Sequence, residues 1–167
     1  MGAVRALALN GGSVGALLLK LKVLTGEGEP DVLAECFSGL LAAAPARSLP
    51  LVARFIDSEN TAVAEAALLA LGSSRLAAAL DLLKTRCERT AGGPLRQTVL
   101  LAIAMIRSEA AIDFLLASLR ECTAIMAKEV VAALALFRNN EKVRSRVASV
   151  VEGRNEKAVS ETFRREF

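Results

Sequence analysis

Ala62-Val63-Ala64-Glu65-Ala66-Ala67-Leu68-Leu69-Ala70-Leu71-Gly72 carries the pattern on which the fold rests. Counted from Val63, apolar or small residues stand at 0, +4, +7 and +8: Val63, Ala67, Ala70 and Leu71. That spacing lines one face of an α-helix. The four slots recur 31 residues earlier as Val32, Cys36, Gly39 and Leu40, and 32 later as Leu95, Val99, Ala102 and Ile103. They return as Met126, Val130, Ala133 and Leu134, and in degraded form as Val159, Phe163, Glu166 and Phe167. In the first four copies the +7 slot is Gly or Ala, which lets two helices approach closely.

A second helical pattern precedes each copy, with slots at 0, +3, +6 and +7. They hold Leu49, Val52, Phe55 and Ile56, then Leu80, Leu83, Arg86 and Cys87, then Ile112, Leu115, Ser118 and Leu119. Two patterns sharing one period of 31–32 residues mark an internal repeat. The punctuation agrees. Asp57-Ser58-Glu59-Asn60-Thr61 is a polar turn with N-cap residues. Gly72-Ser73-Ser74 ends a helix with a C-cap type of glycine. Ala91-Gly92-Gly93-Pro94 separates two helices, with Pro94 suited to a first helical position. Asn139-Asn140 ends another.

The spacing predicts helices over 13–24, 30–43, 48–57, 61–71, 75–89, 94–107, 109–121, 123–138, 140–152 and 155–166. The chain, 1–167, is expected to be a single all-α domain with repeats at 13–47, 48–74, 75–108, 109–139 and 140–167. Ala8 and Leu9 continue the register backwards and make 1–12 a partial repeat. The expected architecture is an α-α superhelix, a right-handed solenoid of about five helix pairs. Each pair carries an apolar stripe too large to hide within itself, and stacking on the next pair buries it. Composition agrees: 53% of residues are hydrophobic, only 4% are aromatic, and Trp and Tyr are missing. Ala and Leu, the best helix formers, supply most of the excess.

The stretch from Ser48 to Gly72, with its Asp57 turn and its Val-x-x-Ala-Ala-x-x-Ala-Leu-Gly run, resembles HEAT repeats. The likeness is to the short bacterial type associated with phycobilin lyases, and it covers most of 13–152. Where that family often has Arg after the Val, this chain has Ala64, although Arg96 fills the position in the next copy. Armadillo repeats, at about 40 residues and three helices, fit the period less well. The resemblance implies a fold. For function it implies only a range: scaffolds, regulatory subunits, bilin-lyase subunits and a few DNA glycosylases.

Chemistry is sparse. There is no histidine, which removes Ser-His and Cys-His nucleophile systems from this chain. Of the three cysteines, Cys36 and Cys87 fall on buried slots and Cys122 lies just beyond one, so they are expected to behave as small apolar residues. Gly11-Gly12-Ser13-Val14-Gly15 with Lys20 lacks both the Gly-Lys-Ser/Thr ending and the preceding strand of a phosphate loop. It is better explained as a helix stop followed by a Ser13 N-cap. Asp81 and Asp113 hold equivalent positions in neighbouring repeats and suggest a solvated ladder rather than an acid–base pair. No catalytic, cofactor-binding or metal-ligating residue is assigned, and no cofactor is expected.

Net charge is +3, and the surplus lies at the C-terminal end, from Arg138 onward. Arg138, Lys142, Arg144 and Arg146 are the candidate contacts for an anion or partner. Acids interleave with them, and no Tyr or Trp is present to stack bases. The expected function is a non-catalytic scaffold or adaptor that binds another protein or peptide. Nucleic-acid or polyanion binding through the basic C-terminal repeat is the alternative, with a bilin-lyase-like subunit implied by resemblance alone. No window of about 18 apolar residues suggests a membrane span. The odd cysteine count and the lack of a leader pattern point to the cytoplasm. Ala3, Val4, Ala6, Leu7 and Leu9, followed by Ala16-Leu17-Leu18-Leu19, leave the N-terminal end apolar. That end is expected to meet further repeats of a longer parent or a second copy, as a homodimer.

Overall fold

Four helices begin where a side chain holds the first free amides. Asn60 Oδ1 accepts from the Ala62 and Val63 amides at 3.1 and 3.4 Å. Ser108 Oγ accepts from Ala111 at 3.2 Å, Thr123 Oγ1 from Met126 at 3.5 Å, and Asn140 Oδ1 from Val143 at 3.2 Å. Three further helices start with proline at the first turn, where the missing N–H costs nothing.

The computed structural model describes residues 12–25 and 29–167. It is all-α: no strand occurs among the described residues. The helices are α1 Gly12–Leu24, α2 Pro30–Ala43, α3 Pro45–Ala53, α4 Thr61–Ser74 and α5 Ala77–Arg89. They continue as α6 Pro94–Ile106, α7 Glu109–Glu121, α8 Ala124–Leu134, α9 Glu141–Arg154 and α10 Lys157–Glu166. A 3₁₀ turn, Ala135–Phe137, follows α8. The partial repeat expected in 1–12, with Leu7 and Leu9, lies outside the described residues apart from Gly12.

Three expectations need correction. The helix placed at 48–57 starts earlier, at Pro45, and ends at Ala53. Beyond it the chain tightens into i→i+3 bonds, from Phe55 N–H to Val52 O (3.0 Å) and from Ile56 N–H to Ala53 O (3.4 Å). Ser13 falls inside the first turn of α1 rather than before it. Gly72 is not a cap either. It lies within α4, and the left-handed residue that ends the helix is Arg75, at φ 54°.

The helices contact one another in a regular order. α2 packs on α4, α4 on α6, α6 on α8 and α8 on α10, so the even-numbered helices form an unbroken row. Odd helices pack on their even neighbours, but among themselves they touch extensively only at α7 and α9. The repeated slots make the even row. Cys36, Leu40, Ala67, Leu71, Val99, Ile103, Val130 and Leu134 are all buried in one continuous core. Phe163 and Phe167, with ring centroids 4.9 Å apart, pack against its last turn.

At Gly72 the row is tightly packed. A Cβ built there would lie 2.6 Å from Ala102 O and 2.8 Å from Ala102 Cα, so α4 meets the α6 backbone directly. Glycine is required for that close approach.

Polar and charged contacts supplement apolar packing along the odd row. Arg86 occupies an apolar slot of α5, but it reaches back to the tight turn that follows α3. Its Nε donates to Ile56 O at 3.1 Å and lies 3.2 Å from Asp57 Oδ1. Lys84 sits over the Phe114 ring at 5.5 Å, linking α5 to α7. Arg154, only 8% exposed, closes the end of α7. Its Nη1 donates to Leu119 O at 2.6 Å and its Nη2 to Cys122 O at 2.8 Å. These carbonyls belong to a helix end that has no intrahelical donors left.

Two helices end on unusual residues. Arg75 at φ 54° and Arg107 at φ 59° are left-handed, a region where glycine is the usual occupant. A side chain there costs about 1 kcal/mol relative to glycine. The equivalent end of α9 uses Asn155, which tolerates the conformation better.

Candidate functional site

A groove of about 890 Å³ crosses α6, α8 and α10. Its apolar wall is Leu101, Ile125, Ala132, Ala133 and Ala158, and its polar rim is Gln97, Lys128, Glu161 and Arg165. Ala133 holds the small +7 slot of the repeat, and with Ala132 and Ala158 it leaves the space that larger side chains would fill. Leu101 and Ile125 remain exposed. Beneath the rim, Arg96 Nε donates to Glu129 Oε2 at 2.6 Å, with the side chains only 11% and 12% exposed. A bidentate hold is lacking, but Arg96 also donates to Ala91 O at 2.6 Å, which fixes its position. This pair ties α6 to α8 and leaves the Glu129 charge compensated.

A smaller hollow of about 400 Å³ adjoins the groove through Leu101. Its floor is Leu101, Met105 and Leu136, and Ser73, Arg75 and Arg107 stand around it. Arg75 is twelve residues after Val63 and Arg107 twelve after Leu95, so they hold one register position in successive repeats. Arg138, twelve after Met126, holds it in the third. All three are exposed, and none has an ion-pair or side-chain hydrogen-bond partner among the described residues. Counting basic residues along the chain hides this ladder; aligning the repeats displays it.

The basic residues of the last repeat do not act as one patch. Arg146 bonds to Asp113 and, at 3.1 Å, to Glu109 on α7. Asp113 first, then Glu109, holds the Arg146 guanidinium pKa above its ordinary value. Lys142 lies 3.7 Å from the same Glu109. Arg144 is exposed on α9, and Arg138 belongs to the ladder above. Asp113 is therefore a bridge to the next repeat, while Asp81 lies exposed, 3.9 Å from Lys84 on its own helix.

Cys36 and Cys87 are buried on their expected slots, and Cys122 is half-buried. Burial pushes the Cys87 and Cys122 thiols above their ordinary value of 9.0, although Arg96 and Arg154 respectively pull the other way. Thiolate is the reactive form. Native Cys36 and Cys87 are expected to react slowly with a thiol reagent at neutral pH, Cys122 faster than either, and all three rapidly in denaturant. Mass spectrometry of timed samples measures this, and fast native labelling of Cys87 would contradict its placement. The raised pKa values also favour the folded state below pH 9.0, a contribution lost as pH rises further.

Among the described residues, no group of three or more His, Cys, Asp or Glu side chains is placed to share a metal ion. No described helix is long and apolar enough to cross a membrane. Compared with known proteins, the chain matches no family model, no curated protein and no solved structure.

Proposed function

We propose that the chain is a right-handed solenoid of HEAT-like helix pairs, and that it serves in the cytoplasm as a non-catalytic scaffold or adaptor. Its partner is a protein or peptide segment laid across the even helices. The observation that carries this reading is the groove over α6, α8 and α10, with an apolar floor and a polar rim. Such a groove is suited to side chains entering from a partner, with the rim setting orientation. The alternative of polyanion binding through the last repeat is less favoured, because Glu109 and Asp113 already occupy Lys142 and Arg146. Peptides selected from a displayed library on the native chain should lose binding at least tenfold to Ala132→Arg. That change fills the groove from an exposed position. Equal binding to the variant would overturn the reading.

A second reading concerns the other end. α1 buries Leu19 and Val23 but exposes Val14, Leu17, Leu18, Leu21 and Leu24 by 46–65%, so both of its faces are apolar. A helix with a second apolar face, here set off by exposed Lys20 and Lys22, normally has that face covered too. Glu35 on α2 holds the register of Glu129, yet one of its carboxylate oxygens is buried without a hydrogen-bond partner. This end is a surface for a second copy or for further repeats of a longer parent. Light scattering over a concentration series tests self-pairing, and Leu17→Lys with Leu21→Lys should shift a dimer to monomer. A strictly monomeric native chain at high concentration would sink the homodimer.

A further inference from the structure

The geometry points to an acidic peptide, with apolar residues between its carboxylates, as the segment bound along Arg75, Arg107 and Arg138. This rests on the groove being a protein-binding face and names the chemistry of what binds there. The three arginines follow one another along the row α4, α6 and α8, one per repeat, and no acid among the described residues pairs with any of them. At the hollow, Arg75 and Arg107 stand beside an aliphatic floor of Leu101, Met105 and Leu136.

The backbone supports the same reading. A cation near a helix C-terminus is favourable anywhere in the last turn. Arg75 and Arg107 instead stand at left-handed positions where glycine would be more stable. Their side chains also make no hydrogen bond to the helix-end carbonyls that would explain their presence. Side chains kept at such positions despite strain point to use.

Spacing then specifies the ligand. Packed helices lie about 8–10 Å apart, and α4 meets α6 directly where Gly72 faces Ala102. A peptide in the polyproline II conformation advances about 3.1 Å per residue and returns to the same face every third residue. Acids at every third position therefore match successive rungs, and the residues between them meet the floor. A nucleic acid would want aromatic platforms for its bases. The floor of the hollow is aliphatic instead.

The test is fluorescence anisotropy with a labelled twelve-residue peptide carrying Asp at every third position and Leu or Ala between. Two controls are the same peptide with Asn for Asp, and one of the same composition with its Asp residues clustered. The native chain should bind the spaced acidic peptide about tenfold more tightly than either control, and more weakly as salt rises. Arg75→Gly with Arg107→Gly should lose that preference while melting no lower than the native chain. Arg75→Gln with Arg107→Gln should lose it too, and Arg138→Gln should weaken it further. Equal binding of the Asn peptide, or full binding by a folded double variant, overturns the acidic ligand and leaves the groove reading standing. Failure of every peptide to bind removes both. Displacement of the bound peptide by a single-stranded oligonucleotide of higher affinity overturns the inference in favour of nucleic acid.

Discussion

Leu71→Asp is expected to leave the chain unfolded. Leu71 is fully buried between neighbouring even helices, and no cation lies there to receive a carboxylate. Burying an unpaired charge and losing the packing of a leucine together cost upwards of about 4 kcal/mol. A domain of this size has roughly 5–15 kcal/mol in all. Circular dichroism should show loss of helix, or a melt far below that of the native chain. Glu65→Ala, on the half-exposed side of the same helix, gives up one weak bond from Thr98 Oγ1 at 3.4 Å. It should change stability by about 0.5 kcal/mol or less. Similar effects from the two substitutions would mean the buried face of α4 is misassigned.

The second large effect comes from one residue further along. Gly72→Val should destabilise by about 3 kcal/mol, because the new Cβ meets backbone atoms of Ala102, which have no rotamer to change. Gly153→Ala provides the opposite sign. It lies in α9 with nothing within 4 Å of the added Cβ. Relief of the glycine penalty in a helix should stabilise it by roughly 0.5–1 kcal/mol. Urea titrations of both variants check the pair. A stabilised Gly72→Val would show that α4 and α6 do not meet at this point.

Much of the fold is legible in the amino-acid order. The slots of Val63, Ala67, Ala70 and Leu71, moved along by one period, locate the even helices and about half of their buried residues. Intrinsic helix signals and apolar periodicity are local, so they survive without knowledge of neighbours. What misleads is a residue whose reason lies one repeat away. Gly72 looks like a stop because it stands near a helix end, yet its partner is Ala102 on α6. Arg86 looks like an error in an apolar stripe until Ile56 O is found to receive its N–H. Lys142 and Arg146 look like free cations because Glu109 and Asp113 are a full repeat upstream. The ladder of Arg75, Arg107 and Arg138 was present in the register all along, but clustering in sequence draws attention to the last repeat instead.

The difference between the two rows has a mechanical consequence. The even helices are joined by buried aliphatic contact, which salt does not screen and which resists separation over its whole length. The odd helices are joined in good part by separate polar clasps, at Arg86, Lys84, Arg146 and Arg154. A bending load is therefore expected to leave the even side as a hinge and to open the odd side clasp by clasp. The more exposed clasps, Arg146 above all, weaken as ions screen them. The chain is expected to behave as a leaf spring that softens as ionic strength rises, with the groove on its stiff side widening or narrowing as it flexes.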